Sequence, residues 1–204
     1  MREKFEQIYE TDAWHGGSGP GSFPVHTKGY VRFLEQFLRN ERIQSVVDLG
    51  CGDWQFSRFI DWNGARYDGF DLVRSVVDRN NNAFGTAKIN FHVAQDDPVS
   101  LPSADLLIAK DVLQHWSDRA ILDFLPHLQK YKFALITNCI NPNGPTTHQD
   151  AGDGGFRYLD LRQPPYNLKA DHVYTFTNFE WSRWKVFSKP EWRKYVLLFR
   201  HHQT

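Results

Sequence analysis

I-Q-S-V-V-D-L-G-C-G-D-W, residues 43–54, decides the fold. Val46, Val47 and Leu49 form a short run of mostly β-branched residues, the composition of a strand buried on both faces of a parallel sheet. The run stops at Gly50 and Gly52. Glycine takes positive φ and, lacking a Cβ, lets a ligand approach the backbone closely. Beyond the turn, Phe56, Phe59 and Ile60 recur at helical spacing, so a strand, a glycine loop and a helix are expected in that order. That is the entry unit of a nucleotide-binding α/β fold. The fingerprint G-x-G-x-x-G is incomplete, because Gln55 stands where its third glycine would fall. The glycines alone therefore do not separate a cofactor site from an ordinary strand-helix turn.

Outward from this stretch the alternation continues. Upstream, residues 3–13 read as a short amphipathic helix with Phe5, Ile8 and Tyr9 on one face, and Tyr30, Phe33, Leu34, Phe37 and Leu38 mark a second helix over 26–40. Between them W-H-G-G-S-G-P-G-S, residues 14–22, forms neither a helix nor a central strand; it is either a surface loop or a lid whose backbone N–H groups meet an anion. Downstream, further strands are expected at 66–72, 89–94, 104–109 and 133–138, with a crossover helix at 73–82 and another capped by Ser117 and Asp118. Residues 141–172 carry no period, and a loop of that length inside a compact domain is usually functional. R-W-K-V-F and Y-V-L-L-F-R, flanking S-K-P-E-W-R-K, predict a closing antiparallel hairpin. The expected architecture is α/β: one domain over 1–204 with a Rossmann-like, mostly parallel seven-stranded sheet, helices on both faces, N-terminal helices with the glycine-rich segment, a candidate lid, over 1–40, and a long loop region over 141–172.

Composition narrows the class. Lys+Arg and Asp+Glu balance at 24 each, so electrostatics gives no support to a nucleic-acid or anionic-membrane partner. The charged start M-R-E-K-F-E-Q-I-Y lacks a signal-peptide core and no apolar stretch approaches the ~20 residues that span a bilayer, which predicts a cytoplasmic protein. Cys51 and Cys139 are expected as reduced core thiols.

In an open parallel sheet the ligand lies outside the carboxyl ends of the strands. Those ends carry Asp48 to Gly52, Asp71, Asp96 with Asp97, Lys110 with Asp111, and Asn138. Asp71 follows Gly50 at the spacing where a carboxylate accepts from both ribose hydroxyls of a nucleotide. With these residues in place the chain resembles the class I S-adenosylmethionine-dependent methyltransferases, small-molecule type, from about Ser45 to Asn138 and through the terminal hairpin. V-V-D-L-G-C-G-D resembles that family's first motif, F-D-L its ribose-binding acid, Q-D-D its adenine-binding acid and D-L-L-I-A-K-D-V-L-Q-H its fourth motif. The resemblance implies S-adenosyl-L-methionine as cofactor, with S-adenosyl-L-homocysteine as product. It implies cofactor contacts from Asp48, Gly50, Cys51, Gly52, Asp71, Leu72, Asp96, Asp97 and Lys110, with Trp14 and Ser22 added from the glycine-rich segment. Asp53-Trp54 stands where the family often has a third small residue.

Methyl transfer from a sulfonium requires an aligned acceptor and, for some acceptors, a base. His115, just after the fourth strand and neutral at pH 7, is the first candidate base, and Asp111 is the second. His15, His26, Asn138, Arg157 and Tyr158 are candidate acceptor contacts; Arg157 equally suits an ion pair with Asp160 or Asp153 that ties down its own loop. Q-P-P-Y at 163–166 is similar to a motif of DNA amino-methyltransferases but stands at the wrong strand, so no nucleic-acid partner is expected. Asp111 and Asn138 lack a third ligand, so no metal is expected. The function expected is methylation of oxygen or nitrogen on a small polar or anionic molecule, with no membrane partner. An NAD(P)-dependent oxidoreductase and a non-catalytic cofactor-binding module are the alternatives.

Overall fold

The computed structural model of the chain describes residues 2–95, 100–178 and 192–201. Its seven strands are β1 (Ser45–Leu49), β2 (Arg66–Asp71), β3 (Ile89–Val93), β4 (Ala104–Lys110), β5 (Tyr131–Ile140), β6 (Asp171–Thr177) and β7 (Arg193–Arg200). They form one sheet in the order β3-β2-β1-β4-β5-β7-β6. The strands β1 to β5 pair in parallel, and β7 runs antiparallel to both β5 and β6. The α-helices are α1 (Arg2–Glu10), α2 (Pro24–Asn40), α3 (Arg74–Phe84) and α4 (Asp118–Phe124). This is the mostly parallel seven-stranded α/β sheet expected from the strand pattern. Among the described residues no helix is long and apolar enough to cross a membrane.

Both faces of the sheet are covered, which is why β1 is buried from Val46 to Leu49 rather than on alternate residues. Val46, Leu106, Ile108 and Leu135 pack against Tyr30, Leu34 and Phe37 of α2 and Val77 of α3. Val47, Leu107, Ala109 and Ile136 face Ile121 and Phe124 of α4, together with Leu159, Leu161 and Tyr166 of the long loop after β5. Ser117 caps α4 by accepting from the Ala120 N–H. Strand order reverses between β1 and β4, the topological switch point, so a crevice opens there at the strand ends.

Two elements differ from the sequence expectation. After Gly52 no α-helix forms; a single 3₁₀ turn at Ser57–Phe59 leads to the Asn63-Gly64 turn and into β2. Trp54, at φ +56°, turns its indole into the core, where it lies 5.1 Å from the Phe84 ring, 5.2 Å from Phe91 and 5.5 Å from Tyr67. An indole thus fills the volume that the apolar stripe of a helix would fill. The second difference concerns the closing pair: the strand beside β7 is β6, upstream of residues 183–187, which lie outside the described residues. Tyr174 and Phe176 of β6 stack on Phe33 and Tyr30 of α2 at 4.9 and 5.1 Å, which holds that strand to the edge of the sheet.

Phe56 is buried but Phe59 is 57% exposed. In urea unfolding, Phe56→Ala should cost about 3 kcal/mol and Phe59→Ala no more than about 0.5 kcal/mol. Equal losses would mean that both rings are buried on one helical stripe.

Candidate active site

A cavity of about 450 Å³ runs along the strand ends from Leu72 and Ala94, past the switch point, to Trp192 and Lys194. At its β1–β2 end the glycine turn is fixed by the backbone. Gly50 and Cys51 N–H groups donate to the Phe70 carbonyl at 2.7 and 3.1 Å. Gly50 has φ +69° and Gly52 φ +57°. A Cβ at Gly50 would strike Val112 just past β4, and one at Gly52 would strike the Ser18 hydroxyl, so both positions require glycine for space as well as for conformation. The Gly52 peptide is tied at both ends: its N–H donates to Asp71 Oδ2 at 3.0 Å, and its carbonyl accepts from Asn80 Nδ2 of α3 at 2.7 Å. Asp71 Oδ1 accepts from the Val73 N–H at 3.0 Å. Burial pushes the Asp71 carboxyl up, and the two N–H donors offset part of that rise. Asp48, also buried, accepts from the Tyr67 hydroxyl at 2.7 Å. Burial pushes its carboxyl up to about 7, against the pull of Tyr67 and Lys110.

The N-terminal segment lies over this end. Tyr9 and Ser18 hydroxyls are 2.7 Å apart, and Ser18 Oγ accepts from the Asp53 N–H at 3.0 Å. Gln55 Nε2 donates to the Gly16 carbonyl and to Asp53 Oδ2, each at 2.7 Å. Arg2 donates to the Leu72 and Ala94 carbonyls, clamping the start of α1 on the ends of β2 and β3. The glycine-rich stretch is thus joined to the glycine turn by hydrogen bonds, and Phe5, Tyr9, Trp14 and Ser22 line the cavity.

Across the switch point stands His115. Its Nδ1 donates to the Gly155 carbonyl at 2.7 Å, and its Nε2 lies 3.4 Å from the Gln114 amide nitrogen. The ring sits 5.5 Å from Trp14 and 5.9 Å from Phe156. Burial lowers its pKa, offset in part by the Gly155 carbonyl. Gln114 Oε1 accepts from the Cys139 N–H at 2.7 Å, which anchors the segment to β5.

Deeper in the cavity two lysines share one carboxylate. Asp111 Oδ2 accepts from Lys110 Nζ at 2.6 Å and from Lys194 Nζ of β7, while Asp111 Oδ1 is buried with no partner among the described residues. Lys110 also donates to the Gly21 carbonyl of the lid at 3.0 Å. Burial pushes Lys110 down to about 8 although Asp111 opposes the shift; burial would raise Asp111, but the two ammoniums bring it to about 2.

Of the residues singled out in the sequence, Asp48, Gly50, Cys51, Gly52, Asp71, Leu72, Lys110, Asp111, His115, Trp14, Ser22 and Tyr158 are brought together on the cavity wall. Asp96 and Asp97 lie outside the described residues. His15 is exposed in the lid turn, and His26 stacks on Phe23 away from the cavity lining. Asn138 is 2% exposed and off the wall, because its neighbour Cys139 occupies the cavity-facing side of β5. Arg157 is buried and committed to its surroundings: it bonds Asp118 and Asp150 at 3.0 and 3.1 Å and the Trp116 carbonyl at 2.8 Å. It ties the loop down through acids other than Asp160, which pairs with Arg162, and Asp153, which accepts from the Ser117 N–H. Asn80, Gln114 and Lys194 are site residues that sequence reasoning missed. Lys194 left one signal: it shares strand parity with the apolar Val196 and Leu198, an inward position where a charge is out of place.

No family model matches the chain, and no curated protein matches it in sequence. Among solved structures it is similar to TehB from Haemophilus influenzae, at 13% identity over 85% of this chain and 62% of that one, TM-score 0.60. It is similar to magnesium protoporphyrin IX methyltransferase from Synechocystis PCC 6803 with bound S-adenosylhomocysteine, at 17% identity over 97% and 96%, TM-score 0.63. Human N-acetylserotonin methyltransferase in complex with S-adenosylmethionine matches at 17% identity over 85% and 55%, TM-score 0.54. The chain spans less than two thirds of the first and third of these proteins. At such identities the likeness is one of fold: the chain has the class I S-adenosylmethionine-dependent methyltransferase fold.

Asn80→Ala removes the only described side-chain donor to the Gly52 carbonyl. It should lower stability in urea by about 1–3 kcal/mol; an unchanged midpoint would show that water or the lid replaces the bond at no cost.

Proposed function

We propose that this chain is an S-adenosylmethionine-dependent methyltransferase that acts on an oxygen or nitrogen of a small polar acceptor. The observation that carries the reading is Asp71, a buried carboxylate at the end of β2, presented to the cavity beside a wall of bare glycine backbone. Its oxygens accept from the Gly52 and Val73 N–H groups, which fix the carboxylate, and it lines the cavity, where it can also accept from ribose hydroxyls. The cavity volume is that of an ordinary cofactor site. Solved structures of the same fold that hold S-adenosylhomocysteine or S-adenosylmethionine support the same cofactor here. The residues present therefore fit the group: Asp71 for the ribose, Gly50 to Gly52 along the chain of the amino acid, and Leu72 and Ala94 at the base end. When bound, the cofactor supplies an electrophilic methyl on a sulfonium.

The chain's own part is to orient the acceptor, exclude water and take a proton. His115 is the base. Because Nδ1 gives its proton to the Gly155 carbonyl, the lone pair lies on Nε2, 3.4 Å from the Gln114 amide nitrogen that an acceptor's proton would displace, and burial favours the neutral ring at pH 7. Asp111, held at about 2 by two ammoniums, is too weak a base for that role. Trp14, Phe5 and the lid cover the transfer region, so acceptor and methyl meet away from bulk water.

Calorimetry with S-adenosylhomocysteine should show binding to the wild-type chain, and Asp71→Ala should weaken it by about tenfold to a hundredfold. Binding of NADH without S-adenosylhomocysteine would overturn the reading in favour of an oxidoreductase. With an acceptor found by turnover screening, His115→Gln should lower kcat by about 10²–10⁴. Protonation of His115 removes the base as pH falls, so the wild-type acid limb should lie below its ordinary 6.5 and vanish in the variant. An acid limb that persists in His115→Gln would assign the proton transfer to another group.

A further inference from the structure

The deep end of the cavity holds two ammoniums whose hydrogen-bond donors the described residues do not fully use. Lys110 and Lys194 side chains are 5% and 3% exposed, and their shared partner is one oxygen of Asp111. Lys110 divides its donors between Asp111 and the Gly21 carbonyl. An ammonium has three N–H donors, yet among the described residues Lys194 makes one hydrogen bond, to Asp111, and otherwise faces the rings of Trp192 at 4.6 Å and Phe176 at 5.9 Å. A buried cation is costly unless it is paired and hydrogen-bonded, and among the described residues one carboxylate oxygen, Asp111 Oδ2, is hydrogen-bonded to both ammoniums. Both lysines line the cavity, and Lys194 and Asp111 act electrostatically on His115, so the ammoniums lie near the base.

Another part of the cavity wall is aromatic. Phe156 is 54% exposed and Tyr158 36%, unusual for large rings, and they meet edge to face at 5.5 Å beside Trp14 and His115. We infer that the methyl acceptor is an aromatic carboxylate, its carboxylate docked on the Lys110 and Lys194 ammoniums and its ring against Trp14, Phe156 and Tyr158. The inference rests on the methyltransferase reading and names its substrate class. With Asp111 already beside both ammoniums, a monoanion fits better than a phosphate dianion, whose second charge would face that carboxylate.

The test saturates the chain with S-adenosylhomocysteine and titrates benzoate, its neutral isostere benzamide, and phenyl phosphate. Benzoate should bind at least about tenfold more tightly than benzamide. Lys194→Met, which leaves the Lys110–Asp111 pair intact, should erase that preference while S-adenosylhomocysteine affinity stays within about twofold. No preference for benzoate in the wild type, including failure of both ligands to bind, overturns the inference, and so does tighter binding of phenyl phosphate. Weaker S-adenosylhomocysteine binding in Lys194→Met would assign the lysines to the carboxylate of the cofactor and overturns it too. Should the variant not fold, the wild-type comparison decides alone. A wild-type chain that binds no S-adenosylhomocysteine overturns the methyltransferase reading itself, whereas binding without the benzoate preference overturns only the substrate class.

Discussion

The Gly52 peptide is held from two directions, by Asp71 at its N–H and by Asn80 at its carbonyl, and the rest of the site depends on that arrangement. A glycine turn left to itself is the most entropically free piece of backbone a chain contains. Here its freedom is removed by the strand beside it and the helix after that strand. The turn in turn gives Ser18 and Asp53 a fixed surface to meet, and through them sets where the lid sits. Wall, roof and carboxylate are consequently one hydrogen-bonded unit rather than three independent parts.

The strand ends are legible in the sequence because a buried parallel strand leaves an apolar run that stops abruptly, and the residues just past each stop build the site. Gly50, Gly52, Asp71, Lys110 and Asp111 are found on that rule, whereas Asn138, picked by the same rule, lies off the cavity wall. Sequence reading also fails where local spacing is too short to discriminate: Phe56, Phe59 and Ile60 fit one turn of helix, but the conformation of Trp54 and its fit among Tyr67, Phe84 and Phe91 depend on residues far along the chain. Asn80 and Asn81 look like the polar end of a crossover helix. Both reach backbone instead, Asn80 at Gly52 and Asn81 at both polar groups of Phe91, which no periodicity encodes. Arg157 is recognisable as a loop residue with a job, but which carboxylates it meets is set by α4 and the loop together.

Five ionisable side chains, Asp48, Asp71, Lys110, Asp111 and Lys194, crowd the ends of β1, β2, β4 and β7 with little access to bulk water. Low local dielectric makes each charge felt by the others, which is why Asp48 and Asp111, both carboxylates, are driven in opposite directions. Asp48 has a phenol for company and Asp111 two ammoniums. The same ends of the sheet therefore carry carboxyl groups whose pKa burial raises on one side and a carboxylate held ionised by two ammoniums on the other, and the cavity connects them.

The bond from Lys110 to Gly21 closes 89 residues of chain, and that from Lys194 to Asp111 closes 83. Contacts of such separation carry a loop-closure entropy that is offset only after β4, β5 and β7 have already paired. The cationic end of the cavity therefore exists only where the N-terminal segment and β7 are both in place: opening either one parts an ammonium from its partner, so a ligand held there would favour the closed arrangement.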